Sequence, residues 1–136
     1  MLSAVMLAWT LTVSPTNNPQ TQEMHLVGHA PSNALWVPIQ IIVSQSSKDI
    51  NSHCAFKYSL RDSENNIVAD KKSVFFNGWQ GNGPSTPRGI ESLSDIAPYS
   101  VNSNLSLNYV AGNSPYCKNN DIRVDVLAYP IYPPNS

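Results

Sequence analysis

Apolar residues fall at every second position in one stretch after another of this 136-residue chain. In Leu35–Gln45 the set is Val37, Ile39, Ile41 and Val43. In Cys54–Asp62, Cys54, Phe56, Tyr58 and Leu60 alternate with Ala55, Lys57, Ser59 and Arg61. In Val101–Val110, Val101, Leu105, Leu107 and Tyr109 alternate with asparagine and serine, and in Ile122–Tyr129 the set is Ile122, Val124, Val126 and Ala128. A period of two places such side chains on one face of an extended strand and is incompatible with the 3.6-residue stripe of a helix. Ile67–Phe76 adds a strand with Val68, Val74 and Phe76 on one face; its polar middle, Asp70-Lys71-Lys72, suits a sheet edge that resists mispairing. Ile90–Ile96 is a weaker strand, and Met24–Val27 a short leading one.

Between the strands lie turn-forming residues. Fifteen Asn, eighteen Ser and eleven Pro favour turns and extended chain over helix interiors. About seven strands at this spacing predict an all-β fold, a sandwich of antiparallel sheets of the fibronectin type III or immunoglobulin kind. Charged residues make up only 12% and the net charge is −1, which excludes a basic nucleic-acid-binding face and a polybasic membrane-surface segment.

Leu2–Val13, LSAVMLAWTLTV, is nearly all apolar and carries no charge. It is too short to span a bilayer as a helix and fits the apolar region of a secretory signal peptide. On that reading residues 1–22 are a leader with a short N-terminal segment, cleaved somewhere between Thr10 and Gln22. Residues 23–136 are then one sandwich domain, secreted to the periplasm or beyond, with no membrane insertion after processing. The competing reading is a buried N-terminal strand or helix. No Lys or Arg precedes Lys48, so a basic leader start is missing.

Cys54 and Cys117 are the only cysteines, and in a secreted chain they are expected to form one disulfide. A free thiol pair or an intermolecular bridge are the alternatives. If strands alternate in direction, the connections Ser46–His53, Asn77–Gly89 and Gly112–Asn120 share one end of the sandwich. Cys54 and Cys117 then meet there, with the strands opening at Cys54, Val101 and Ile122 as sheet neighbours. The second connection reads NGWQGNGPSTPRG and the third GNSPYCKNN. Aromatic and arginine anchors among small polar residues suit a binding surface, and Trp79, Gln80, Arg88 and Tyr116 are the candidate contacts. The bland alternative folds Trp79 over the core edge.

Other motifs point to no chemistry. The glycines around Trp79 precede no helix and no lysine, so they do not form a phosphate loop. His25 and His29 have metal-helix spacing, but Gly28 and Pro31 oppose a helix. Asp62, Glu64 and Asn66 imitate the start of a calcium loop whose sixth and twelfth positions, Ile67 and Ser73, do not fit. The expectation is a protein that is not an enzyme and needs no metal or cofactor. The tail Tyr129-Pro130-Ile131-Tyr132-Pro133-Pro134 is expected to leave the sheet and run extended.

Two resemblances follow. Ile96-Ala97-Pro98 ahead of Tyr99-Ser100-Val101-Asn102 resembles the E–F corner of fibronectin type III domains, with Asn102 where that fold carries tyrosine. The whole chain, through LSAVMLAWTLTV, NGWQGNGPSTPRG and NLSLNYVAGNSPYCKNNDIRVDVLAY, resembles the interleukin receptor mimic protein A family, secreted fibronectin-III-like proteins of pathogenic enterobacteria. That resemblance implies a domain-swapped homodimer similar to the ligand-binding part of cytokine receptors. It also implies binding to a host cytokine or cytokine receptor, and hence immune modulation and virulence. A sugar-binding adhesin module and a periplasmic structural or inhibitor domain are the alternatives.

Overall fold

The computed structural model describes residues 5–30, 33–45, 53–77, 88–93, 99–100, 103–112 and 121–132. Among these the chain forms strands and no helix: β1 (Met6–Val13), β2 (Gln20–Glu23), β3 (His25–Leu26), β4 (Leu35–Gln45), β5 (His53–Asp62), β6 (Ile67–Asn77), β7 (Arg88–Ser92), β8 (Tyr99–Ser100), β9 (Leu105–Ala111) and β10 (Ile122–Ile131). They build two antiparallel sheets, ordered β3-β1-β10-β4-β7, with β8 also on β4, and β2-β9-β5-β6. The expected all-β sandwich, consistent with an immunoglobulin or fibronectin type III-like fold, is the observed architecture.

Alternation did its work on both inner faces. Cys54, Phe56, Tyr58 and Leu60 of β5 are buried, as are Leu105, Leu107 and Tyr109 of β9 and Ile122, Val124, Val126 and Ala128 of β10. Phe56 stacks between Tyr58 and Tyr109, with ring centroids 6.0 and 5.9 Å away. β6, with its polar middle, stands at a sheet edge as expected.

The apolar run read as a leader is β1, a strand of the sandwich. Its Trp9, Leu11 and Val13 point into the core while Thr10 and Thr12 alternate outward. β1 lies between β3 and β10. Trp9 meets Trp36 edge-on at 6.1 Å, and its Nε1 donates to the Ser103 carbonyl at 3.0 Å. Outside, Thr10 Oγ1 donates to Asp125 Oδ1 at 2.6 Å, tying β1 to β10. The sandwich domain therefore starts before residue 23, because cutting between Thr10 and Gln22 would remove an interior strand. A strand and a leader share one signature here: both are short, apolar and uncharged.

Four further expectations change. The strand opening at Ile122 is not a neighbour of β9; β10 sits in the other sheet, between β1 and β4, and β2 takes the place beside β9. The leading strand divides at buried Met24, so that β2 joins one sheet and β3 the other. In β4 the buried face begins with Trp36 and Pro38, not Val37 and Ile39. The ladder to β10 slips there, pairing Gln40 with Leu127 but Pro38 with Ala128, so Ile39 is the extra residue of a bulge. In β7, Ile90 is 48% exposed and Gly89 faces the core.

The tail also stays in the sheet for longer than its prolines suggest. Tyr129, Pro130 and Ile131 continue β10 opposite Val37, Trp36 and Leu35. Pairing with β1 stops at Ala128, so among the described residues Pro130 has a strand on one side only. A residue without an N–H is tolerated at such an edge.

The two sheets close against each other along β6 and β7. A Cβ on Gly89 would stand 2.7 Å from Val74 Cγ1, and Lys72 Nζ lies 3.7 Å from Glu91 Oε2. Gly89→Ala is expected to cost about 1–3 kcal/mol by overpacking. Trp9→Ala should cost about 3–5 kcal/mol. A chain beginning at Ser14 should lose cooperative unfolding altogether. Urea denaturation of the three variants measures each outcome; a truncated chain unfolding like the full one would return β1 to the role of a dispensable leader.

Candidate functional site

The rim expected to carry the contact surface can be located from registers alone. In one sheet, Gln45 ends β4 opposite Ile122, the first residue of β10, and Val13 ends β1 opposite the same Ile122. Arg88 opens β7 opposite Ser44. In the other sheet, His53 opens β5 opposite Asn77, the last residue of β6, and Ala111 ends β9 opposite Phe56. Thr16, whose carbonyl accepts from Ala111 N–H at 2.8 Å, is only three chain steps from Val13. Three residues reach at most about 11 Å, so the two sets of strand ends lie at the same end of the sandwich. The connections 46–52, 78–87 and 113–120 all spring from it, as strand alternation required.

Trp79, Gln80 and Tyr116 lie outside the described residues. Arg88 is placed by its backbone at the root of the second connection. Cys54 is 1% exposed on the inner face of β5 and is not a free thiol. Cys117 lies outside the described residues. Gly112 N–H donates to the Ala55 carbonyl at 2.8 Å, so the chain that leads to Cys117 departs beside Cys54. The neighbour beside β5 is thus β9 and not β10, and the shared end follows without the strand order first expected.

Sequence reasoning missed one residue at this rim. Gln45 continues the inward phase of Ile41 and Val43 and is fully buried, and among the described residues neither amide atom has a hydrogen-bond partner. An amide in that phase, closing an apolar series, was the available signal. The Tyr58 hydroxyl, deeper in the core, is also buried without a partner among the described residues. Burial pushes its phenol well above the ordinary value of 10.0, and the charge of Glu91 acts in the same direction.

The calcium-like Asp62-Glu64-Asn66 series forms the β5–β6 turn. Asp62 Oδ1 accepts from the N–H groups of Glu64 and Asn66, each at 2.9 Å, and Oδ2 accepts from Asn66 Nδ2 at 3.2 Å. Asn65, at φ 65, takes the left-handed position the turn needs. Among the described residues no group of three His, Cys, Asp or Glu is placed to hold a metal ion. No helix among them is long and apolar enough to cross a membrane.

Set beside known proteins, the chain matches no protein-family model and no curated protein. The class is defined by the fold alone: a two-sheet antiparallel sandwich with three connections rooted on one rim.

Two substitutions test the buried polar groups. Gln45→Met removes an unpaired amide at nearly constant volume and should stabilise by about 1–2 kcal/mol. For Tyr58, the folded chain keeps its proton above pH 10, where the unfolded chain releases it. Stability should therefore hold below about pH 10 and fall as the pH rises beyond it. Tyr58→Phe should abolish that part of the slope, read from denaturation midpoints against pH.

Proposed function

We propose that this chain is a secreted binding protein, not an enzyme, that offers its rim to a host protein. The partner is an interleukin or an interleukin receptor, bound much as cytokine receptors bind their ligands. The observation that carries this reading is the rooting of three connections on one end of a rigid sandwich. Strand ends in ladders fix where loops begin, and loops held in that way are the usual recognition surface of such folds. Trp79, Gln80, Arg88 and Tyr116 supply the contacts. The resemblance to the interleukin receptor mimic protein A family supplies the partner class. Cys54, which is not a free thiol, supports an oxidising compartment and a bridge to Cys117. No metal or cofactor takes part.

A homodimer formed by exchange completes the proposal. Opening the connection between Asn77 and Gly89 would release β7–β10 together, and a second copy would close both sandwiches with the same ladders.

The decisive experiment is binding of the full chain to a panel of interleukins and receptor ectodomains by surface plasmon resonance. Saturable binding that Trp79→Ala weakens by about tenfold or more is the expected result. Binding to none of the panel, or binding indifferent to Trp79→Ala and to Arg88→Ala, would remove the rim from the proposal. Light scattering should return a dimer mass. Mass spectrometry after alkylation should show no added label until a reductant is supplied. Loss of a loop closure of about 64 residues on reduction should cost roughly 4 kcal/mol.

A further inference from the structure

The outward face of the β2-β9-β5-β6 sheet carries ordered rows of polar side chains. Phe75 stands opposite Ala55; Ser73 opposite Lys57 and that opposite Val110; Ser59 opposite Asn108 and that opposite Thr21; Arg61 opposite Ser106. A depression lined by Lys57, Lys71, Ser73 and Val110 runs into a second one lined by Thr21, Arg61, Asp62 and Ser106, and Ser59 and Asn108 belong to both. Both carboxylate oxygens of Asp62 are taken up by the β5–β6 turn, and the lysines stand at the other end of the groove. Together they form one open groove along the strands. From the Ala55 row to the Arg61 row is six steps, about 20 Å.

A bulge shapes the groove. Tyr58 pairs with Lys72 and Leu60 with Ala69, so Asp70 and Lys71 both oppose Ser59. Lys71 takes φ 52, a conformation uncommon for a side chain of that size. Its N–H donates to Ser59 Oγ at 3.0 Å, and Ser59 Oγ donates to Asp70 Oδ1 at 3.3 Å. Bulges of this kind re-aim a side chain, and this one belongs to a strand edge beside the groove. Lys72 is spent on Glu91 across the sheet boundary, whereas among the described residues Lys57 and Lys71 form no ion pair. At the rim end of the groove, Phe75 is 66% exposed.

We propose that this groove binds an acidic oligosaccharide, a short run of sugars bearing carboxylates. Lys57 and Lys71 meet the carboxylates. Ser73 can donate and accept, as ring hydroxyls require; Asn108 Nδ2 donates to Thr21 Oγ1 at 2.9 Å, which leaves the Asn108 carbonyl to accept and the Thr21 hydroxyl to donate. Phe75 offers an apolar plate to a sugar face. A peptide is the poorer fit because β5 and β9 are interior strands whose N–H and C=O groups are already in ladders, so no strand can be added there. A nucleic acid needs a longer line of cations than this face holds. The site lies on the sheet face and not on the rim, so it stands or falls independently of the interleukin reading.

The test titrates the full chain with a hyaluronan hexasaccharide, in which glucuronate alternates with N-acetylglucosamine. Chitohexaose serves as the uncharged chain of equal length and inorganic phosphate as the bare anion. Saturable binding of the hyaluronan oligomer that weakens with added salt is expected. Lys57→Ser combined with Lys71→Ser should reduce affinity about tenfold or more. Phe75→Ser should reduce it severalfold, and Trp79→Ala should leave it unchanged. Lys57, Lys71 and Phe75 lie outside the buried core, and matched thermal unfolding of all the variants confirms intact folding. No saturable binding, equal binding of chitohexaose, competition by phosphate at equal concentration, or a double lysine variant with unchanged affinity would each overturn the proposal.

Discussion

Everything else in this sandwich depends on the double pairing of β10. It lies antiparallel to β1 on one side and to β4 on the other, with Ile122, Val124, Val126 and Ala128 fully buried beneath it. The last long strand of the chain therefore seals the first long strand into the core. Contacts of that sequence separation cost loop-closure entropy before they return any burial. The fold can afford them because every inward residue of β10 reaches full burial at once. The Thr10–Asp125 hydrogen bond, with Arg123 Nε 2.9 Å from the same carboxylate oxygen, adds a polar tie on the outside of the same seam.

That arrangement also orients the rim. Because β1 ends where β10 begins, the short passage from Val13 to Thr16 carries the chain across to the end of β9. On the opposite flank, Gly89 against Val74 and Lys72 against Glu91 close β6 on β7. Both flanks fix the ends of the two sheets together, so the connections bearing Trp79, Arg88 and Tyr116 start from one place. Gln45 lies beneath that place with an amide that is unpaired among the described residues, a cost that packing alone does not explain.

Much of the strand content was legible residue by residue. Cys54–Leu60 and Ile122–Ala128 alternate without a break, and both are buried as the pattern requires. Where legibility failed, a local irregularity was the cause. Pro38 lacks the N–H a ladder needs, the bulge at Ile39 follows, and the buried phase moves from Val37 to Trp36. Gly89, with no side chain to register in a hydrophobic pattern, is the residue that faces inward in β7, and Ile90 is left outside. Of the candidate site, the shared end was legible from strand direction, whereas Gln45 and the Lys57–Lys71 groove were not. The groove is assembled from outward residues of several strands, and only pairing registers bring them into rows.

By itself, the sequence determined an antiparallel β protein, the inner faces of its principal strands, the edge character of β6 and the end from which its long connections leave. Period-two alternation and turn residues are local properties, and direction reverses at each turn. Tertiary structure alone decided the fate of Leu7–Val13 and the position of β10. An apolar strand records which of its faces is buried but not which strand lies beside it, because backbone hydrogen bonds are the same whatever the neighbour. Packing of whole sheets made that choice, through Trp9 against Trp36 and through the paired closure of β6 on β7.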